Sequence, residues 1–552
     1  MSAIFRKLVV RELSQRSLVL LLSLYYTLLL NIPLYRQVAA YLPNRTVQEW
    51  LFLLSLPLLL GSVFFVLFSL FASRWLIKPL HLVLLPLSAL AFYASLNYGV
   101  LFDHTMIQNL LETDSAEAGS YLSISSVLVF MLLGLLPMVL LLLTKITELP
   151  FRKVLVQQAT AAALALLVMF GLALAFYKDY ASVFRNHREL KHLIVPTNFI
   201  AGTNRFLRER YFNEKSPFLI LDKHPQFIAH AAASDASVPP KRVVVLAIGE
   251  TARAQSFAYY GYSRDTDPNT RRFNPLVVPA VRSCGTATAV SVPCMLSHLT
   301  AKDFSVELAE NQQNVLDLLQ LAGADVLWID NNSGCKGMCS RVPNYHIDTS
   351  DSHPLCDGNY CFDQVLVDGL ADKLANLDKP LTVVVLHMIG SHGPTYYRRY
   401  PREMAKFLPD CQRADIQNCD QQALQNTYDN TIYYTDFVLS EIMAELNSAW
   451  HSRGVKSSMI YVSDHGESLG EYGLYLHGFP KAIAPDEQTL IPMLIWQSGA
   501  QGSGHLHRCQ GQRDYSHDNL FHTLLGLTGI ESELYQRELD ILAECEPVAV
   551  TK

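Results

Sequence analysis

The chain is expected to fold as a five-helix membrane domain followed by an α/β domain with a mostly parallel sheet sandwiched by helices. Three observations carry that expectation. Five apolar stretches without Asp, Glu, Lys or Arg occupy the first 180 of 552 residues. All ten cysteines fall between Cys284 and Cys545. From residue 241 onward, short apolar runs each stop abruptly at a polar cluster.

The apolar stretches are 17–35, 50–72, 79–102, 121–144 and 154–177. At about 1.5 Å per residue each can cross roughly 30 Å of hydrocarbon. The segments between them sort by charge. Arg6, Lys7, Arg11 and Arg16 precede the first, Arg74 and Lys78 follow the second, and Lys145, Arg152 and Lys153 follow the fourth. Residues 103–120 instead carry Asp103, Glu112, Asp114 and Glu117 with no Lys or Arg. The first connection, with Arg36 and Arg45, is equivocal. Positive charge stays inside, so the N-terminus is expected in the cytoplasm and everything after residue 178 beyond the membrane. Cysteine placement gives the same answer independently, because paired thiols need an oxidising compartment. A first apolar run this long, followed by further spans, does not read as a cleaved signal peptide. A net charge of −6 suggests no general affinity for nucleic acid.

Three segments follow from this: a membrane domain over 1–180, a bridge over 181–240 and an outer domain over 241–552. In the bridge, basic and aromatic residues such as Arg185, Arg188, Lys191, Phe206, Arg208, Arg210 and Tyr211 alternate with apolar ones. That pattern fits an amphipathic segment on the membrane surface, or a solvated linker.

In the outer domain, Val243–Ile248 runs into Gly249-Glu250-Thr251, and Val326–Ile329 into Asp330-Asn331-Asn332. Leu381–Leu386 runs into His387, and Met459–Val462 into Ser463-Asp464-His465-Gly466. Unbroken apolar strands suggest a parallel sheet covered on both faces, with sites at the carboxyl ends of its strands. Glu250, Asp464, His465 and His387 would converge there, with His392 and His477 close in the pattern. Carboxylates and neutral imidazole suit a divalent ion such as zinc. The cysteines are read as local disulfides rather than ligands: Cys284–Cys294, Cys335–Cys339, Cys356–Cys361, Cys411–Cys419 and, over a longer span, Cys509–Cys545. Spacing does not fix that connectivity.

Two residues compete as nucleophile. Ser468 sits in Gly466-Glu467-Ser468-Leu469-Gly470, a G-x-S-x-G pattern after a strand, with Asp514, His517, Asp518 and His522 downstream as partners for a serine esterase. Thr288 precedes a segment that reads as a helix start, where free N–H groups favour a phosphate. Its hydroxyl would need activation by a metal, and its bland alternative is a helix N-cap.

The motifs GETARAQSFAYYGYSRDT from Gly249, SCGTATAVSVPCM from Ser283, DNNSGCKG from Asp330, HMIGSHGP from His387 and SDHGESLGEYGLYLHG from Ser463 resemble the phosphoethanolamine transferases of the alkaline phosphatase/sulfatase superfamily. They are closely similar to its lipid A enzymes, including the mobile colistin-resistance group. The membrane half is similar too, so the likeness covers nearly the whole chain. The C/S-x-P-x-R motif of sulfatases is missing at Cys284 and Cys294, which disfavours that branch.

The resemblance implies an alkaline-phosphatase-like domain in the periplasm of a bacterial inner-membrane protein. Thr288 would carry phosphoethanolamine, and Glu250, Thr288, Asp464 and His465 would hold one tight zinc. His392 and His477 would serve a second, weaker metal site or contact substrate phosphate, helped by Lys336, Asn332 and His387. His387 or His392 would move protons. Asn109, Thr113 and Glu117 fall where relatives are thought to meet the lipid head group. The donor would be phosphatidylethanolamine and the acceptor lipid A or lipopolysaccharide, handled by a monomer, with resistance to polymyxin as the consequence. A phosphoglycerol transferase, transfer to a heptose or Kdo sugar, a serine esterase and a non-catalytic zinc module are the rival readings.

Overall fold

The computed structural model describes residues 12–42, 46–73, 75–113, 115–147, 150–212, 217–228, 241–279, 281–350, 353–499 and 514–543. The chain forms two compact units. One comprises 1–108 and 122–208; the other comprises 109–121 and 209–552. This division departs from the three segments expected of the sequence. Residues 109–121 group with the second unit although they lie between membrane spans, and 181–208 group with the first.

Among the described residues of the first unit, four helices are long and apolar enough to cross a membrane: Val47–Leu70, Ile77–Tyr98, Ile124–Leu143 and Arg152–Ala175. A fifth crossing exists if the pair Gln15–Leu30 and Ile32–Ala40, bent by 46°, counts as one span. Each overlaps one of the apolar stretches. Leu54, Leu58, Leu128, Leu132, Leu166 and Leu167 face outward, as lipid-facing side chains do where no water competes for backbone bonds. Tyr26, Phe64, Phe68 and Leu85 fill the interior.

The break in the first span has a local cause. Tyr26–Leu30 is a π-helical turn ending at Asn31, which frees backbone groups. The Asn31 amide donates to the carbonyls of Tyr26 (2.9 Å) and Val195 (2.8 Å), and its side-chain oxygen accepts from Val195 N at 3.0 Å. One side chain thus satisfies the break and fastens the segment before helix Thr197–Leu207. The described part of the expected bridge is helical as far as Phe212, through Tyr177–Asn186, Arg188–Leu193, Thr197–Leu207 and Arg208–Phe212, and residues 217–228 are not helical.

The second unit is built on a seven-stranded sheet. Its strands are β1 (Arg242–Gly249), β2 (Leu276–Val277), β3 (Asp325–Asp330), β4 (Asn344–His346), β5 (Leu381–His387), β6 (Lys456–Ser463) and β7 (Met493–Gln497). Their spatial order is β2-β7-β6-β1-β5-β3-β4. The five from β6 to β4 are mutually parallel; β7 runs antiparallel to β6 and to β2. The central strands are β-branched and buried on both faces, as the unbroken apolar runs require. Val244, Leu246, Ile248, Val383, Val385, Ile460 and Val462 pack with Val292 and Met295 of helix α1 (Thr288–Leu296), and with Leu316 and Phe521. The alternate residues Val243, Val245, Ala247, Val384 and Tyr461 are equally buried. The long helix α2 (Gln421–Arg453) covers β6. It is capped by Asp420, which accepts from Gln422 N and Ala423 N, and ended by Gly454 at φ 67°.

Four cysteine pairs form as expected: Cys284–Cys294, Cys335–Cys339, Cys356–Cys361 and Cys411–Cys419. Cys509 and Cys545 lie outside the described residues.

Asn31→Leu should leave three buried backbone groups without partners and cost about 2–4 kcal/mol. Thermal unfolding of the detergent-solubilised chain should show the lowered midpoint; an unchanged midpoint would count against the clamp.

Candidate metal centre

Strand register assembles the site. Ser463 pairs with Gly249, Ile248 with His387, and Asp330 with His387. The residues that follow, Glu250 and Asp464, therefore leave the sheet side by side at its carboxyl edge. Asp464 N donates to Gly249 O (2.9 Å), while Thr251 N and His465 N donate to Asp464 Oδ1 at 3.2 and 2.7 Å. Thr251 takes φ 51°, an unusual conformation for a β-branched residue. Gly390 has φ 49° and lies so close to Glu250 that an added Cβ would meet its backbone O at 2.7 Å and N at 2.8 Å. Only glycine fits there.

Glu250, Asp464 and His465 are fully buried, and one ligand atom from each lies within 4.8 Å of the others. His465 Nε2 is 3.3 Å from both Glu250 Oε1 and Asp464 Oδ2. Among the described residues, neither of those oxygens accepts a hydrogen bond. Thr288 Oγ1 donates to Glu250 Oε2 at 2.9 Å and lies 3.5 Å from His465 Nε2. A tetrahedral zinc with ligands at about 2.1 Å needs ligand–ligand separations of roughly 3.4 Å. The three separations from His465 Nε2, at 3.3, 3.3 and 3.5 Å, fit that requirement. His465 Nδ1 lies 2.9 Å from Gly466 O, a bond that keeps the proton on Nδ1 and aims the Nε2 lone pair at the carboxylates.

The electrostatics ask for a cation. Burial and the charge of Glu250 push the Asp464 carboxyl up to about 6. Burial opposes a charge on His465, but Asp464 and Glu250 outweigh it and raise the imidazole to about 10. Burial would also raise Glu250, yet the close approach and charge of His465 hold it well below the usual carboxylate range. A divalent ion held here would replace these protons and neutralise both carboxylates.

Thr288 is the first residue of α1, and Ala287 takes the N-cap position with no side-chain bond. The N-cap reading of Thr288 is therefore overturned. Its side chain points to the ligands, and it is partly exposed where they are sealed. The Cys284–Cys294 disulfide ties the preceding loop to the far end of the same helix.

His387 does not join the ligand group as the sequence suggested. It is buried behind it, with Nδ1 3.0 Å from Asp330 Oδ2 and Nε2 3.3 Å from Asn332 Nδ2. Asn332 in turn donates to Glu250 Oε2 (2.8 Å) and Met388 O (2.9 Å). His477 is closer: its ring centroid is 4.5 Å from that of His465 and 5.5 Å from that of His392. Lys336 lies in the loop after β3, its Nζ 3.0 Å from Ser333 O and Oγ. Asn109 and Thr113 are one helical turn apart, Thr113 Oγ1 donating to Asn109 O at 2.7 Å; the Glu117 side chain lies outside the described residues.

Ser468 is fully buried and accepts from Gln488 Nε2 at 2.9 Å. His517 is engaged by Cys284 N and Ser463 O, and His522 by Gln536 N. These contacts leave no esterase triad around Ser468 among the described residues. The informative residue of that motif is its neighbour Glu467, which the sequence reading passed over. It accepts from Tyr396 OH and lies 2.8 Å from His477 Nδ1. Asp363 was also missed; it accepts from Ile389 N and Gly390 N, both at 2.8 Å, and so shapes the loop against Glu250. A lone acidic residue far away in sequence gives no signal of such a role. A cavity of about 1310 Å³ lies at the other end of the strands, near Arg242 and Lys456, and contains none of these groups.

A parallel sheet with acidic and imidazole ligands at its carboxyl edge and a hydroxyl at a helix start defines a metal-dependent group-transfer enzyme of the sulfatase type. The sulfatase family model matches residues 242–530, and the model described as phosphoethanolamine transferase EptA/EptB matches 60–211. The chain is 40% identical to phosphoethanolamine transferase EptA of Escherichia coli K12, over 96% of this chain and 97% of that protein. It is 33% identical to phosphatidylethanolamine transferase Mcr-1 of Escherichia coli, over 95% and 96%. The integral membrane lipooligosaccharide phosphoethanolamine transferase A of Neisseria meningitidis superposes with a TM-score of 0.90 at 37% identity, covering 97% of this chain and 99% of that one. The chain belongs to the phosphoethanolamine transferase family.

Because protons and the ion compete for His465, apparent zinc affinity should fall roughly tenfold per pH unit as pH drops from 8 to 6.5. It should fall more steeply below about 6, where Asp464 also binds a proton. Metal-buffer titrations of the purified chain measure the slope; a flat profile is the contrary result. Gly390→Ala should lower retained zinc by displacing Glu250, seen by elemental analysis of the dialysed protein.

Proposed function

We propose that this chain moves phosphoethanolamine from phosphatidylethanolamine to a phosphate of lipid A through a phospho-threonine at Thr288. The observation that carries this reading is the Thr288 hydroxyl, partly exposed and hydrogen-bonded to Glu250 beside two fully buried ligands. Glu250, Asp464 and His465, with Thr288 itself, would hold one zinc tightly. When bound, that ion supplies charge that lowers the hydroxyl pKa and neutralises phosphoryl oxygens.

In the first stage the Thr288 oxygen forms a bond to phosphorus and the bond to the diacylglycerol oxygen breaks. The hydroxyl proton leaves to a base, and diacylglycerol departs with a proton from the site. In the second stage an oxygen of the acceptor phosphate forms a bond to the same phosphorus, the bond from phosphorus to the Thr288 oxygen breaks, and Thr288 regains a proton. The start of α1 supplies N–H groups for the phosphoryl group. His392 and His477 are the proton carriers or a second, weaker metal site, with Glu467 fixing the His477 ring. His387, buried and engaged at both nitrogens, orients Asn332 and Glu250 instead. Lys336 and Asn332 contact the transferring group, and Asn109, Thr113 and Glu117 the lipid head group.

We place the enzyme in a bacterial inner membrane with five crossings, a cytoplasmic N-terminus and a periplasmic catalytic unit, acting as a monomer. Adding an ethanolamine cation to lipid A reduces negative surface charge and weakens attraction of cationic peptides such as polymyxin.

Thr288→Ala should lower transfer about 10³-fold or more, whereas Ser468→Ala should stay within a few-fold of wild type. Intact-lipid mass spectrometry of bacteria expressing each variant reads the product, and peptide mass spectrometry locates the added group on Thr288. Preserved transfer in Thr288→Ala, or loading from phosphatidylglycerol in place of phosphatidylethanolamine, sinks the assignment.

A further inference from the structure

A second polar cavity, of about 480 Å³, opens on the loop that follows β3. Its walls bring Arg210, Lys336 and Arg341 against one carboxylate, Glu310, with Ser333 and Ser340 adding hydroxyls. The cations are held in place rather than loosely arrayed. Arg341 forms a two-pronged pair with Asp317 at 2.8 and 2.7 Å and lies 4.5 Å over the Phe218 ring. Arg210 meets Glu310 at 2.6 Å. The Cys335–Cys339 disulfide closes the loop around Lys336. One wall of the cavity is linked to the metal centre through Asn332. Asn332, which donates to Glu250, accepts from the backbone of Ser333 at 2.7 Å, and Ser333 lines the cavity.

Beside it runs an apolar strip in which Tyr211, Phe212, Phe218, Leu219 and Ile220 are exposed at 69%, 80%, 42%, 46% and 58%. The backbone under this strip is fastened. Leu219 N donates to Asn311 O at 2.8 Å and its carbonyl accepts from Gln313 N at 3.1 Å. The Gln313 side chain accepts from Leu221 N and Asp222 N at 2.7 and 2.9 Å. Large apolar side chains presented on pinned backbone mark a surface meant to be covered. Three cations, Arg210, Lys336 and Arg341, stand against two carboxylates, Glu310 and Asp317, so the pocket keeps a net positive charge, and with its apolar border it is complementary to a phosphorylated lipid.

We infer that this cavity and strip are the acceptor subsite, which binds an anionic group of a phosphorylated glycolipid other than the phosphate being modified. The inference rests on the transfer reaction proposed above and adds how the acceptor is recognised. Arg210, Ser340 and Arg341 select the acceptor; the strip takes up its apolar part.

The test uses the full chain in phosphatidylcholine vesicles with labelled phosphatidylethanolamine, and measures the two stages separately. Label on the protein without acceptor reports the first stage. Transfer to bis-phosphorylated or mono-phosphorylated lipid A reports the second. Arg210→Glu and, independently, Ser340→Asp should raise KM for the bis-phosphorylated acceptor about tenfold, with kcat and first-stage labelling within about twofold. Both should lose the preference of the wild type for the bis-phosphorylated acceptor, while Arg210→Lys retains it. An unchanged acceptor KM in both acidic variants overturns the subsite. So does a parallel loss of first-stage labelling, which would assign the cavity to the donor. If the wild type takes no label from phosphatidylethanolamine, the transfer reaction itself fails, a result separate from either.

Discussion

Glu250 and Asp464 set two carboxylates beside each other in the protein interior, with His465 between them and two oxygens left without hydrogen bonds among the described residues. Like charges in a low-dielectric interior repel strongly unless a proton or a cation intervenes. The fold holds them together through backbone geometry rather than through compensating side chains. Parallel register puts the ends of β1 and β6 level, and Gly249 O takes the Asp464 amide. The left-handed turn at Thr251 and the close approach of Gly390 complete the frame. A cation at this point would stabilise what the sheet has imposed, and on the proposed function the nearby hydroxyl of Thr288 would gain its reactivity from the same charge.

Around the ligands lies a set of buried polar chains, each ending on backbone or on a second acid. Asp330 carries His387 and accepts from Trp328, and Asn332 joins that pair to Glu250. Tyr396 and Glu467 hold His477. Arg253 bonds Glu471, Gln425 and Ser256 and lies over Tyr428, whose hydroxyl bonds Thr251 O. Buried polar groups that are fully satisfied fix one arrangement, because any alternative leaves a donor or acceptor unpaired. The disulfides brace the loop that leads into Thr288 and the loop that carries Lys336.

On the proposed function, both substrates are lipids, so a catalytic unit on a membrane anchor meets them at high effective concentration. The problem then is less capture than discrimination: donor and acceptor each bring phosphate and acyl chains to one metal. Separate polar environments, one at the helix start of α1 and one in the basic cavity beside Ser333, are a physical means of telling the two apart.

Periodicity and adjacency were enough to locate the apolar spans, the strands that end in polar clusters and the meeting of Glu250, Asp464 and His465. A strand buried on both faces has to be apolar until it ends, and residues that end neighbouring parallel strands have to meet. The break at Asn31, the grouping of 109–121 with the outer unit, the retreat of His387 behind Asn332, and the service of Glu467, Asp363 and Tyr396 were decided by tertiary structure. In each case the partner is remote in sequence: Asn31 answers Val195, Asp363 answers Gly390, and Tyr396 answers Glu467. Which way a polar side chain points is set by the register and packing of elements that touch only once the chain has folded, and no spacing within one segment encodes it.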